Sequence, residues 1–304
     1  MAKSRFRTSR RRYSSRRKST RSYRSTRTNR SRFTRRRPRP KMTRRSILNL
    51  TSRKKRDTMM CNTNTTAANP IDNATYSNSP AVLIGSQPYL FVWCVSARNL
   101  NNGAGGANII INDAERNSTS TFFRGYKETS TIATSDGLLW TWRRIIFATK
   151  GTEISGTATA TRQLYSNTAG YGYRRPVNAW PNTTTSLVYD QVFKGTAGTD
   201  WIDPTTAPLD SRRVTIISSR TRSIAAGNEE GCQRVYRDWT PINKTLVYDD
   251  DEAGDGESSS YYCADSKAGL GDIYCMDIFQ PRTGGTTSSL LSWRPEASIY
   301  WHER

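Results

Sequence analysis

The first 56 residues hold 25 Lys and Arg and no acid, whereas the rest of the chain holds 22 bases against 25 acids. That partition limits what can fold. A net +25 over 56 residues repels itself, and Phe6, Tyr13, Tyr23, Phe33, Ile47, Leu48 and Leu50 are its only sizeable apolar side chains besides Met. Residues 1–56 are therefore expected to be a largely disordered arm, followed by a near-neutral folded domain over 57–304.

A polycation of this density calls for a polyanion, because each base that neutralises a phosphate releases a condensed counterion whatever the base sequence. Arg dominates, and its planar fork grips phosphate bidentately and lies flat on bases. The expected nucleic-acid ligands are Arg10, Arg11, Arg12, Arg16, Arg17, Lys18, Arg35, Arg36, Arg37, Arg39, Lys41, Arg44, Arg45, Arg53, Lys54, Lys55 and Arg56. Two readings stand for the four aromatic rings of the arm: they stack on unpaired bases between phosphate contacts, or they tether the arm loosely. Phosphorylation of the intervening Ser and Thr would weaken the grip.

The runs Arg35-Arg36-Arg37 and Arg53-Lys54-Lys55-Arg56 have the composition of nuclear import signals as well as of phosphate ligands. The Arg clusters are too dense for a mitochondrial transit peptide, and the N-terminus lacks the apolar stretch of a secretory signal. No 18-residue apolar segment exists, so the expectation is a soluble protein made in the cytosol with no membrane partner.

Beyond residue 57 the sequence is rich in Thr, Ser, Asn, Gly and Tyr, and no long window repeats apolar residues at helical spacing. Short β-branched and aromatic runs separated by turn residues predict strands at 82–84, 88–96, 108–111, 121–127, 138–149, 162–165, 186–193, 212–218, 234–239, 246–249, 272–279 and 297–301. The runs at 89–95 and 144–148 are apolar on successive residues, as in strands buried on both faces or covered by another subunit. Long connections favour an all-β, antiparallel, eight-stranded jelly-roll sandwich over an up-and-down barrel.

Catalytic chemistry has little to work with. His302 is the one histidine, two residues from the end, and no G-x-S-x-G turn or phosphate-binding glycine loop occurs. Cys61, Cys94, Cys232, Cys263 and Cys275 form no C-x-x-C pair and are expected to be buried free thiols. The acidic cluster Asp249, Asp250, Asp251, Glu252, Asp255 and Glu257 is expected to be a solvated loop, with Ca²⁺ binding and pairing to Arg of another subunit as alternatives. No cofactor and no metal is expected.

Several stretches carry a resemblance. Phe123-Arg124-Gly125-Tyr126-Lys127-Glu128, Trp140-Thr141-Trp142-Arg143-Arg144-Ile145-Ile146-Phe147, Tyr236-Arg237-Asp238-Trp239-Thr240-Pro241-Ile242-Asn243-Lys244, Tyr248-Asp249-Asp250-Asp251-Glu252, Gly269-Leu270-Gly271-Asp272 and Tyr300-Trp301-His302-Glu303-Arg304 resemble, in that order, the capsid proteins of genomoviruses, the gemycircularvirus group. The resemblance spans most of 57–304. It implies a jelly-roll subunit of a 60-copy T=1 shell, distantly similar to geminivirus coat proteins, that packages circular single-stranded DNA. It further implies a virion protein that reaches the host nucleus through import receptors. Sixty arms would bring on the order of 1,500 positive charges, enough for a genome of one to a few kilobases. Alternation along a strand would turn one of Arg143 and Arg144 away from the core, making Arg144 a candidate DNA ligand, with pairing between subunits as the alternative. Trp140 and Trp142 share one face and are expected in the core or an interface. The competing function is a nuclear nucleic-acid-binding or shuttle protein that closes no shell; an enzyme is third.

Overall fold

Side chains two residues apart share a face of a strand, and along the last strand this rule runs unbroken: Leu291, Trp293, Pro295, Ala297, Ile299, Trp301 and Glu303 are buried while the residues between them face out. The computed structural model describes residues 42–304, of which Arg44–Arg304 form one compact unit. The elements of that unit are α1 (Arg44–Thr51), β1 (Arg53–Met59), β2 (Cys61–Thr63), β3 (Ala81–Ile84), β4 (Tyr89–Cys94), β5 (Ser120–Thr134), β6 (Trp140–Thr149), β7 (Ser166–Thr168), β8 (Gly172–Val177), α2 (Ser186–Val192), β9 (Thr215–Ile224), β10 (Gln233–Val247), β11 (Asp251–Ala253), β12 (Gly256–Ser258), β13 (Asp272–Pro281) and β14 (Leu290–Glu303).

Two antiparallel sheets carry the architecture. The first has the order β1-β14-β5-β10, with β3 also on β14; the second is β4-β13-β6-β9. They pack face to face. Phe123, Tyr126, Ile299 and Trp301 of the first meet Trp93, Ile146, Ile273 and Cys275 of the second. Further along, Leu83, Ile132, Leu291 and Trp293 meet Phe91, Trp140, Trp142 and Phe279. Each large apolar side chain so buried contributes about 1.5–3 kcal/mol. Trp140 and Trp142 lie fully in this core.

The second sheet has a further cover. Leu90, Val92, Ile145, Phe147, Tyr274 and Met276 point away from the first sheet, onto Leu164, Trp180, Val188, Phe193 and Trp201. This is why the two apolar runs do not alternate: their strands are buried on both faces by the same chain. All five cysteines are free thiols, with Cys61, Cys94 and Cys275 buried and Cys232 and Cys263 half-buried.

Four sequence expectations are corrected. The body begins at Arg44, so α1 and β1 belong to it; β1 pairs along its whole length with β14, from Arg53↔Glu303 to Met59↔Ala297. A run of four cations hid this strand, yet the buried positions Lys55 and Met59 keep its period of two. The strand expected at 186–193 is instead α2, Ser186–Val192, with Phe193 extended just past it: Val188 and Val192, four apart, are its buried face. Residues 108–111 are a loop with Ile109, Ile110 and Ile111 exposed. The strand expected at 162–165 begins only at Ser166.

Candidate nucleic-acid interface

Among the described residues, no layer of the body covers the outer face of the first sheet, unlike that of the second. Its outward residues include Lys54, Arg56 and Thr58 on β1, Ser292, Arg294, Glu296, Ser298, Tyr300 and His302 on β14, Phe122, Arg124, Lys127, Thr129 and Thr131 on β5, and Val235, Arg237 and Trp239 on β10. Glu296 is the only acid among them. Registers place these residues side by side: Lys54 opposite His302 and Arg56 opposite Tyr300, then Ser298 opposite Lys127 and Lys127 opposite Trp239. The result is a cationic sheet face with aromatic rings set into it.

Two irregularities shape its centre. The β14–β5 register shifts between Tyr300 and Trp301, and the β10–β5 register shifts between Pro241 and Lys244, both around Gly125. The indole of Trp239 lies across Gly125, where a Cβ would sit 2.5 Å from its Cη2. Only glycine lets the ring lie down. Trp239 stays 46% exposed and meets Tyr300 edge to face, at 5.6 Å between centroids and 69°. The Arg56 guanidinium stands 5.9 Å over Tyr300, and Arg124 Nη1 donates to Asn243 Oδ1 at 2.6 Å.

His302 reports on the charge of this face. Its ring lies 6.1 Å from that of Phe122, and burial, then Arg124 and Lys54, hold its pKa below the ordinary histidine value. The unfolded chain therefore binds this proton more tightly, and the contribution to stability is lost as pH falls through the histidine range. A polyanion on the face offsets the two cations, so the His302 pKa is expected to rise when an oligonucleotide binds. NMR titration of the protein reads this directly, since the chain has one imidazole.

Of the sequence-predicted ligands, Arg10, Arg11, Arg12, Arg16, Arg17, Lys18, Arg35, Arg36, Arg37, Arg39 and Lys41 lie outside the described residues. Arg44 and Arg45 open α1. Arg53, Lys54 and Arg56 are exposed, but Lys55 is buried in the body, so the four do not form one free basic run. Lys55 Nζ sits within donating distance of the carbonyls of Ile110 (3.2 Å), Asn112 (2.7 Å) and Glu115 (3.0 Å) and of Asn117 Oδ1 (2.8 Å). It pins the 108–117 loop to β1. Lys55→Met is expected to lose about 1–3 kcal/mol and to speed amide exchange in residues 108–117 with β1 still paired, as hydrogen-exchange mass spectrometry would show.

Arg144 is also corrected: it is not an outward ligand. It points between the two sheets at 4% exposure, where Nε donates to Asp277 Oδ1 at 2.7 Å and Nη2 donates to Glu128. Arg175 from β8 completes a quartet, with Nη2 to Asp277 Oδ2 at 2.8 Å and Nε 3.4 Å from Glu128 Oε2. Its guanidinium lies between Trp93 and Trp293, about 5 Å from each ring. Arg143 faces the other way and is buried too, its Nη1 donating to the carbonyls of Pro204 and Ala207, both at 2.8 Å. Alternation holds; both faces of β6 are simply inside. Asp250 of the acidic cluster is taken by Arg116 of the same chain, at 2.5 and 2.9 Å, and the residues after it form the exposed β11–β12 hairpin. Among the described residues no three His, Cys, Asp or Glu are grouped to hold a metal, and no helix is long and apolar enough to cross a membrane.

Sequence reasoning passed over Arg124, Lys127, Arg237, Trp239, Arg294 and Tyr300 as ligands. The usable signal was the alternation in β14, which sets Arg294, Tyr300 and His302 opposite the face of Trp293, Ile299 and Trp301. Compared with known proteins, the chain matches no family model and no curated protein.

Proposed function

We propose that this protein is the structural, non-enzymatic subunit of a small icosahedral shell, and that it packages circular single-stranded DNA through its Arg-rich N-terminal segment. The observation that carries the reading is the join between segment and body. In the sequence the basic residues 1–43 lead through α1 into β1, the edge strand of the first sheet. We read eight strands of the two facing sheets, with β3 as an addition to the first, as a jelly roll. Counting β1, β4, β5, β6, β9, β10, β13 and β14 as first to eighth, the sheet orders are first-eighth-third-sixth and second-seventh-fourth-fifth, which supports that fold. The motif resemblance to genomovirus capsid proteins points the same way. Under it the shell has 60 copies in T=1 symmetry, the basic segment faces the genome, and the run Arg35-Arg36-Arg37 engages import receptors on the way to the host nucleus.

The test is to express the full chain and combine electron microscopy with nuclease protection of the recovered nucleic acid. Uniform closed particles that shield single-stranded DNA are expected. Correctly folded chains that stay monomeric, or coat DNA without closing over a range of salt, would replace this reading with that of a nuclear nucleic-acid-binding or shuttle protein.

A further inference from the structure

We propose that the outer face of the first sheet is a second nucleic-acid site, separate from the basic segment, which takes unpaired bases by stacking on Trp239 and Tyr300. The polymer's identity as single-stranded DNA rests on the function proposed above; the site itself rests on the face. A large, half-exposed indole on a polar sheet has to be accounted for, because Trp is otherwise highly buried. Trp239 cannot retreat, since the Gly125 backbone lies beneath it, and its other side is open to solvent. Tyr300 meets it edge to face, so the two rings form an angled platform. Arg56, Arg124 and Lys127 flank it, at distances set by the sheet and not by flexible chain.

That combination selects a ligand class. Phosphates alone need cations, and a duplex hides the faces of its bases in its own stack. Exposed rings interleaved with Arg and Lys give stacking together with phosphate contacts only to a strand whose bases are free, as single-strand binding surfaces do. A second copy docking by this same face would bring only Glu296 as an acid to set against its cations. Charge complementarity favours the polyanion.

The test is ultraviolet cross-linking of the full chain, unassembled, to oligothymidylate of about 20 nucleotides, with a blunt duplex of equal length as the comparison and digestion and mass spectrometry to locate the adducts. Adducts at Trp239 or Tyr300 with the single strand and not with the duplex are expected. At high salt, where the basic segment contributes least, Trp239→Leu/Tyr300→Leu should weaken single-strand binding by roughly tenfold or more. Its circular dichroism and melting should be unchanged, and Trp239→Phe should retain most of the binding. Adducts confined to residues 1–43, or equal yields with duplex, would overturn the site. So would protection of the face in nucleic-acid-free particles, which would make it an interface between copies. Cross-links at these rings in a protein that never closes a shell would sink the capsid reading and leave the site standing; shells without such cross-links would do the reverse.

Discussion

An Asp277→Asn variant is expected to lose about 3–5 kcal/mol of folding stability, a large share of the roughly 5–15 kcal/mol available to an ordinary domain. Asp277 is wholly buried between the sheets and carries two guanidinium groups, Arg144 at 2.7 Å and Arg175 at 2.8 Å, with the Trp142 indole donating to it at 2.8 Å. Burial alone would raise its pKa; Arg144 and Arg175 outweigh that and hold the carboxyl below its usual range. The carboxylate's contribution is therefore present above the ordinary Asp pKa of about 3.9 and is lost only as pH falls through the lower folded value. With an amide in its place, the two buried cations keep only Glu128 and, 3.9 Å from Arg144 and shared with Arg220 and Arg222, Asp238. Urea denaturation of the protein reads the loss as a lower midpoint at unchanged slope. The double variant Asp277→Asn/Arg175→Met restores charge balance and should recover part of the loss, a coupling that a simple packing defect would not produce.

Truncation after Thr43 is expected to leave the body folded and to abolish packaging, because residues 1–43 hold 19 of the 25 bases that precede Asp57, and the compact unit starts at Arg44. The dependence of log affinity on log salt should flatten by about 0.7 for each phosphate of a single strand that is no longer neutralised. Nuclease protection and a salt series of binding isotherms check both parts. A truncated chain that protected the same length of DNA would assign packaging to the body and overturn the role of the segment. Truncation after Arg56 is a different experiment. It removes most of β1, Lys55 included, strips β14 of its partner from Tyr300 to Glu303, and frees the 108–117 loop, so aggregation is expected there for structural reasons.

The two truncations differ because a basic run conceals a strand. In β1 the side chains that decide folding are Lys55 and Met59, and one of them is charged; Lys55 is tolerated inside because carbonyls surround its ammonium. The same limit applies to Arg144 and Arg175, whose burial depends on Glu128 and Asp277 arriving from β5 and β13. Residues 186–193 show a different limit. Leu187, Val188, Tyr189, Val192 and Phe193 favour a strand locally, but the second sheet offers an apolar surface to be covered, and a short helix places Val188 and Val192 on it.

By itself the sequence determined what depends on composition and local pattern: a polycation joined to a near-neutral β body, the positions of most long strands, and the scarcity of catalytic side chains. Only the tertiary structure decided which cations meet solvent and which meet buried carboxylates. It also decided which sheet would be covered on both faces and which would leave Trp239, Tyr300, Arg124 and Lys127 uncovered. The reason is that a strand's period says which residues share a face, while what lies against that face is brought by strands distant in the chain.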